Sequence, residues 1–144
     1  MKLRLQTDYA LRTLMYLGFV DRKAKAEEIA GVFDISKDHL VKVIQQLVRS
    51  GLVRTTPGRG GGVELTRDPG DIRVKVVVEE MEGRHGILDC VPQPEVCPLE
   101  PGCRLRRLLI TAEDAFYDAL ADTTIGDLCR RGQRGGLKNL EIST

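Results

Sequence analysis

The sequence predicts a mainly α-helical fold with one small β-hairpin. Three observations predict it. Apolar residues recur at helical spacing through most of the chain. A single β-prone stretch, interrupted by glycines, falls between residues 52 and 66. A further helical stripe runs from about residue 104 to 121, longer than the preceding elements can cover.

Thr7 is placed to cap a first helix, with Asp8 in the first turn, where the helix dipole favours negative charge. Leu11, Leu14, Met15 and Gly18 share one face. Asp21 to Lys25 reads as a polar turn, and a second helix follows with Ala26, Ile29, Ala30 and Phe33 inward. After a short turn at Asp34 and Ile35, Ser36 can cap a third helix. Leu40, Val43, Ile44, Leu47 and Val48 form its stripe, and Gly51 ends it. Residues 52–56 and 63–66 are β-prone and flank Pro57-Gly58-Arg59-Gly60-Gly61-Gly62, so a hairpin is expected. Helix, helix, short turn, helix, hairpin is the order of a winged helix-turn-helix.

Asp71 can cap a fourth helix carrying Val74, Val77, Val78 and Met81, although its β-branched residues also suit a strand. Residues 83–103 read as a loop with three cysteines and four prolines. The long helix then carries Leu105, Leu108, Leu109, Ala112, Phe116 and Ala119 in a stripe, and Thr124 can cap a short last helix. The expected organisation is a DNA-binding unit over 1–70, a cysteine loop and dimerisation helices over 71–129, and a flexible tail over 130–144. A two-fold homodimer through the long helix is expected, since its stripe otherwise lacks a cover.

The net charge of +1 hides an asymmetry. Residues 1–67 hold twelve Lys/Arg against seven Asp/Glu, and residues 68–144 hold ten against fourteen. The front half is therefore the candidate for meeting a polyanion. No apolar run is long enough to cross a bilayer, and the N-terminus lacks a signal-peptide pattern, so a cytoplasmic protein with no membrane partner is expected.

The third helix turns Asp38, Lys42, Gln45, Gln46 and Arg49 away from its stripe, with Ser36, Lys37 and His39 at its start. Such side chains can read base edges in the major groove of double-stranded DNA or touch phosphate. In the hairpin tip, Arg59 stands beside Gly60 among glycines that let the backbone approach a groove or a phosphate closely. An ordinary solvated face and an ordinary turn are the alternatives.

Cys90, Cys97 and Cys103 are spaced C-x6-C-x5-C. This lacks the close pair of a structural zinc site, and a wide proline-rich loop suits an iron–sulfur cluster. Three free surface thiols are the alternative. Arg104, Arg106 and Arg107 oppose the dipole of the helix they begin, which is easier to understand beside negatively charged sulfur. Cys129 stands apart and reads as a buried small residue, and His85 is a weaker candidate ligand. There is no Ser-His-Asp arrangement and no HExxH motif, so no enzyme activity is expected. An iron–sulfur electron-transfer protein is the reading from a different class.

Four segments carry a resemblance: Leu5-Gln6-Thr7-Asp8-Tyr9-Ala10-Leu11-Arg12, Ser36-Lys37-Asp38-His39-Leu40-Val41-Lys42-Val43, Gly58-Arg59-Gly60-Gly61-Gly62-Val63, and Cys97 through Leu105. With them the chain resembles the iron–sulfur winged-helix transcriptional regulators that include IscR, NsrR and RirA. It is most similar to the NsrR branch, which represses genes for nitric oxide detoxification. The resemblance implies a homodimer, a palindromic operator and a cluster on Cys90, Cys97 and Cys103, 4Fe–4S in preference to 2Fe–2S. In IscR-like members a histidine three residues after the last cysteine completes the ligation. That position is Arg106 here. Some NsrR-like members use an aspartate from the partner's first helix, and Asp8 matches it. The first cysteine spacer is six residues, where five is commoner in the family. A nitric oxide-sensing repressor is the reading that follows, with iron or thiol-redox sensing as the alternative.

Overall fold

The computed structural model describes residues 2–83 and 85–130. Helices α1 (Leu5–Val20), α2 (Ala26–Phe33) and α3 (Lys37–Arg49) come first. Strands β1 (Val53–Thr56) and β2 (Gly62–Leu65) follow, then α4 (Val74–Glu82), α5 (Arg104–Ala119) and α6 (Ile125–Leu128). The mainly helical class with one hairpin is therefore as expected. The strands pair antiparallel with Val53 opposite Leu65 and Thr56 opposite Gly62.

The core is built around α1, which packs against α3, α4 and α6. Ala10, Leu14 and Leu17 are buried from α1. Leu40, Val43 and Leu47 meet them from α3, Val77, Val78 and Met81 from α4, and Ile125 from α6. Truncating a fully buried side chain here, such as Leu14→Ala, removes about 2–5 kcal/mol of stability. α4 is a helix despite its valines, because Val74, Val77, Val78 and Met81 share its buried face, and packing outweighs a weak intrinsic preference.

Backbone pairings tie distant segments together. Ala24 bridges Val63, joining the α1–α2 turn to the hairpin, and Arg73 bridges Thr124. Thr124 caps α6, as its sequence suggests, and closes a capping box with Asp127. Among the described residues no helix is long and apolar enough to cross a membrane.

Local details depart from the sequence reading. α1 begins two residues before Thr7, with Arg4 at its N-cap, and Thr7 is fully buried inside the first turn. Asp71 ends a short 3₁₀ turn that Asp68 caps, so Arg73 precedes α4. Val48 is 38% exposed, because the stripe of α3 outlasts the surface it packs on. On α5 the stripe is left uncovered within one chain, as the sequence expects, but the residue the helix buries lies outside that stripe. Leu105 is 56% and Leu108 64% exposed, and Tyr117 is the buried residue of this helix. The expected flexible tail lies, beyond Arg130, outside the described residues.

Candidate DNA interface and cysteine loop

α3 presents Lys37, Asp38, His39, Lys42, Gln45 and Arg49 to solvent, opposite its buried stripe. Ser36 occupies the N-cap, yet its side chain makes no capping bond. The donors of the first turn are therefore left for water or an anion. Lys37 is held by Glu27 of α2 at 2.6 Å. That hydrogen bond keeps the Glu27 carboxyl below the usual carboxylate range and the Lys37 ammonium above its own. Lys42 and His39 carry no such partner among the described residues.

The hairpin tip is set by its glycines. Gly62 has φ 155°, and a Cβ there would stand 2.8 Å from the Ala24 carbonyl oxygen, while one at Gly61 would overlap the Thr56 carbonyl. Arg59 is exposed beside Gly60 and meets no carboxylate among the described residues. Lower on the hairpin, Glu64 accepts from Arg54 at 2.8 Å and lies 3.5 Å from Lys23. The Arg54 bond holds the Glu64 carboxyl below its usual range. The sequence reading missed Glu64, whose partners come from β1 and from the α1–α2 turn.

The first and second helices are locked by a buried phenol. Tyr16 donates to Glu28 at 2.5 Å, and Arg22 donates to the same carboxylate at 2.7 Å. Burial, reinforced by Glu28, pushes the Tyr16 hydroxyl up to about 12. The Arg22 hydrogen bond holds Glu28 below the usual carboxylate range.

Cys90, Cys97 and Cys103 are free, partly buried thiols. Arg106 braces their loop. Its Nε donates to the Cys90 carbonyl at 2.8 Å, a terminal nitrogen donates to the Val91 carbonyl at 2.9 Å, and Nε lies 3.9 Å from Glu100. Cys103 is the N-cap of α5, and its Sγ accepts from the Arg106 backbone N–H at 3.4 Å. A helix N-terminus and an N–H donor both suit electron-rich sulfur. Among the described residues, no three His, Cys, Asp or Glu side chains converge closely enough to hold a single metal ion.

Asp8 lies on the outer side of α1's first turn and pairs with Arg12 at 2.8 Å. It is not joined to the cysteines of its own chain. His85 is exposed, with its ring against Gly83. Cys129 is in neither group. Its Sγ packs over Gly18 and donates to the Met15 carbonyl at 3.4 Å, and burial pushes its thiol up.

Comparison with known proteins fits this architecture. The family model Rrf2, described as an iron-dependent transcriptional regulator, matches residues 3–131. The HTH-type transcriptional regulator NsrR of Geobacillus kaustophilus is 37% identical over 143 residues, covering 97% of this chain and 96% of the relative. Protein aau3 of Rhizobium meliloti is 39% identical over 144 residues, covering 98% of this chain and 94% of the relative. Among solved structures, T. potens IscR superimposes with a TM-score of 0.75 at 20% identity, over 94% of this chain and 90% of the other. CymR, the global cysteine regulator of B. subtilis, gives 0.74 at 23% identity, over 90% and 96%. These two likenesses carry the fold.

Proposed function

Because this chain belongs to the Rrf2 family of transcriptional regulators, we propose that it is a dimeric, cytoplasmic repressor whose grip on a palindromic operator is set by an iron–sulfur cluster and relieved by nitric oxide. The observation that carries this reading is the braced loop: three unpaired thiols fastened by Arg106 to the start of α5.

The donor set fits such a group. Thiols are soft ligands suited to cluster iron, and Cys103 already receives a backbone N–H, the kind of hydrogen bond that tunes cluster sulfur. Cys90, Cys97 and Cys103 would hold three irons of a 4Fe–4S cluster, and Asp8 of the partner subunit would hold the fourth. When bound, the cluster supplies irons that react with nitric oxide, the carboxylate-held one most readily because a carboxylate is the harder, weaker partner.

The remaining work falls to the protein. Ser36, Lys37, Asp38, His39 and Lys42 would enter the major groove with the first turns of α3, and Arg59 with Gly60 would follow the flanking backbone or minor groove. Lys37 must release Glu27 to do so, whereas Lys42 and Arg59 are already available. Residues 1–70 form the DNA-binding part of this scheme. Residues 71–129 hold the cluster and bring two copies together along α5, whose Leu105 and Leu108 stand exposed in a single chain.

The test is an absorption spectrum of the anaerobically purified protein, with operator binding measured before and after nitric oxide. Iron and sulfide with visible absorption, and weaker DNA binding after nitric oxide, are expected. Cys90→Ala, Cys97→Ala and Cys103→Ala should each abolish the absorption, and Cys129→Ala should leave it intact. Stoichiometric zinc without sulfide would overturn the reading. A cluster that responds to oxidants or iron supply but not to nitric oxide would replace the signal.

A further inference from the structure

We propose that Glu82 is a positioning residue that couples the cysteine loop to the DNA-binding helices, by capping α1 from the last turn of α4. The inference rests on the reading that the state of the loop governs DNA affinity, and it names the contact through which that state travels.

α1 has no side-chain cap of its own, since Arg4 occupies its N-cap. Glu82, 78 residues further along the chain, accepts from the Arg4 backbone N–H at 2.7 Å. The same carboxylate oxygen accepts from the hydroxyl of fully buried Thr7. The Arg4 Nε lies 3.7 Å from the other oxygen, and the Glu82 side chain is only 16% exposed. A carboxylate placed there satisfies a donor and opposes the positive end of the helix dipole.

Glu82 is also the last residue of α4. Gly83 follows with φ 66°, and its N–H closes on the Glu79 carbonyl at 3.0 Å before the chain leaves for the cysteines. The His85 N–H then donates to the Gly83 carbonyl at 3.0 Å, which turns His85 back toward this last turn of α4. The same turn touches the DNA-reading helix, because Gln46 of α3 donates to the Glu80 carbonyl at 3.5 Å. A change in the loop root therefore acts on α1 through Glu82 and on α3 through Glu80. Beside it lies a cleft of about 310 Å³, lined by Arg4, Glu82, His85, Ile87, Glu113 and Phe116. This space lets the root shift without repacking the core.

The test is a cycle of variants. Operator affinity is measured for the full chain with and without its cluster, in the parent, in Glu82→Gln and in Thr7→Val, which removes the donor from the other side. We expect the parent's affinity ratio between the two forms to shrink at least about fivefold in both variants. Cluster absorption should stay at the parent level. A merely structural role would lower both affinities together and leave the ratio unchanged.

A second arm uses cluster-free protein and hydrogen exchange at residues 8–11. Arg106→Ala, which loosens the loop, should speed this exchange in the parent and have no such effect in the Glu82→Gln background. An unchanged affinity ratio, together with an Arg106→Ala effect that persists without Glu82, would overturn the inference. If the parent's affinity is itself indifferent to the cluster, the functional reading fails. The exchange arm then decides the Glu82 link by itself.

Discussion

The guanidinium of Arg106 spans two consecutive carbonyls, those of Cys90 at 2.8 Å and Val91 at 2.9 Å, while its own backbone N–H points at the Cys103 sulfur. One residue thus fastens both ends of the cysteine loop, at the position where a histidine ligand stands in IscR-like regulators.

Arg106→Ala should free the Cys90 end. Each lost bond to a charged donor is worth about 1.5–3 kcal/mol, and partial exposure reduces this. Alkylation of Cys90 in cluster-free protein should therefore speed up about tenfold, as read by mass spectrometry after timed iodoacetamide treatment. Arg106→Lys should recover little, because an ammonium does not present a planar fork to two carbonyls. An unchanged rate in Arg106→Ala would show the brace to be dispensable.

Lys42→Ala and Arg59→Ala should each weaken operator binding. Where the lost cation met only phosphate, the slope of log affinity against log salt should fall by roughly 1. Glu27→Gln should act in the opposite sense by freeing Lys37. Parent-like binding of both alanine variants in a salt titration would rule out this docking.

On α5, Leu108→Glu should dissociate the protein into monomers. Burying a leucine is worth about 1.5–3 kcal/mol, and a two-fold interface counts the residue twice. Sedimentation of the parent should give twice the mass of the single chain. A parent monomer that still binds its operator would refute dimerisation along this helix.

Tyr16→Phe should cost about 1.5 kcal/mol near neutral pH, since the phenol donates to a carboxylate. Glu28 is held below its usual range, so its contribution is present above about pH 4.3 and is lost as pH falls through the folded value. Glu28→Gln should flatten this acid limb in urea unfolding. Tyr16 is displaced the other way. Its contribution is complete below about pH 10 and is lost as pH rises toward about 12.

If Asp8 holds iron as proposed, Asp8→Asn keeps the helix start and should weaken that ligation. The variant should fold and dimerise normally and hold a more labile cluster, measured as faster bleaching by a chelator. A parent-like spectrum, bleaching rate and nitric oxide response would reduce Asp8 to the partner of Arg12 and send the search for the fourth ligand to His85.

Local periodicity made much of this molecule legible. α3 could be drawn from Leu40, Val43, Ile44 and Leu47 because a helix buries one stripe, and the hairpin followed from its glycines. The cap of α6 was visible in Thr124, and the reciprocal bond from Asp127 comes from the structure. The less legible features join segments distant in sequence. Nothing near Thr7 announces Glu82, and nothing near Cys90 announces that its carbonyl is held from α5. The sequence showed that α5 is apolar on one side. It showed too that this stripe outruns what one chain can cover, but only the packing shows that Tyr117, outside the stripe, is the residue the helix buries.

The placement of Cys129 has a consequence for thiol chemistry. Gly18 yields the space that its sulfur fills, a Cβ there would stand 2.9 Å from it, and burial keeps its proton on. The chain therefore carries two kinds of sulfhydryl on different clocks. All four are half-buried, but Cys129 keeps its proton and packs against Gly18 and the Met15 carbonyl, so it should react more slowly than the loop sulfurs. A plain count of modified cysteines over time then separates chemistry at the cysteine loop from chemistry at the contact between α1 and α6, with no added label.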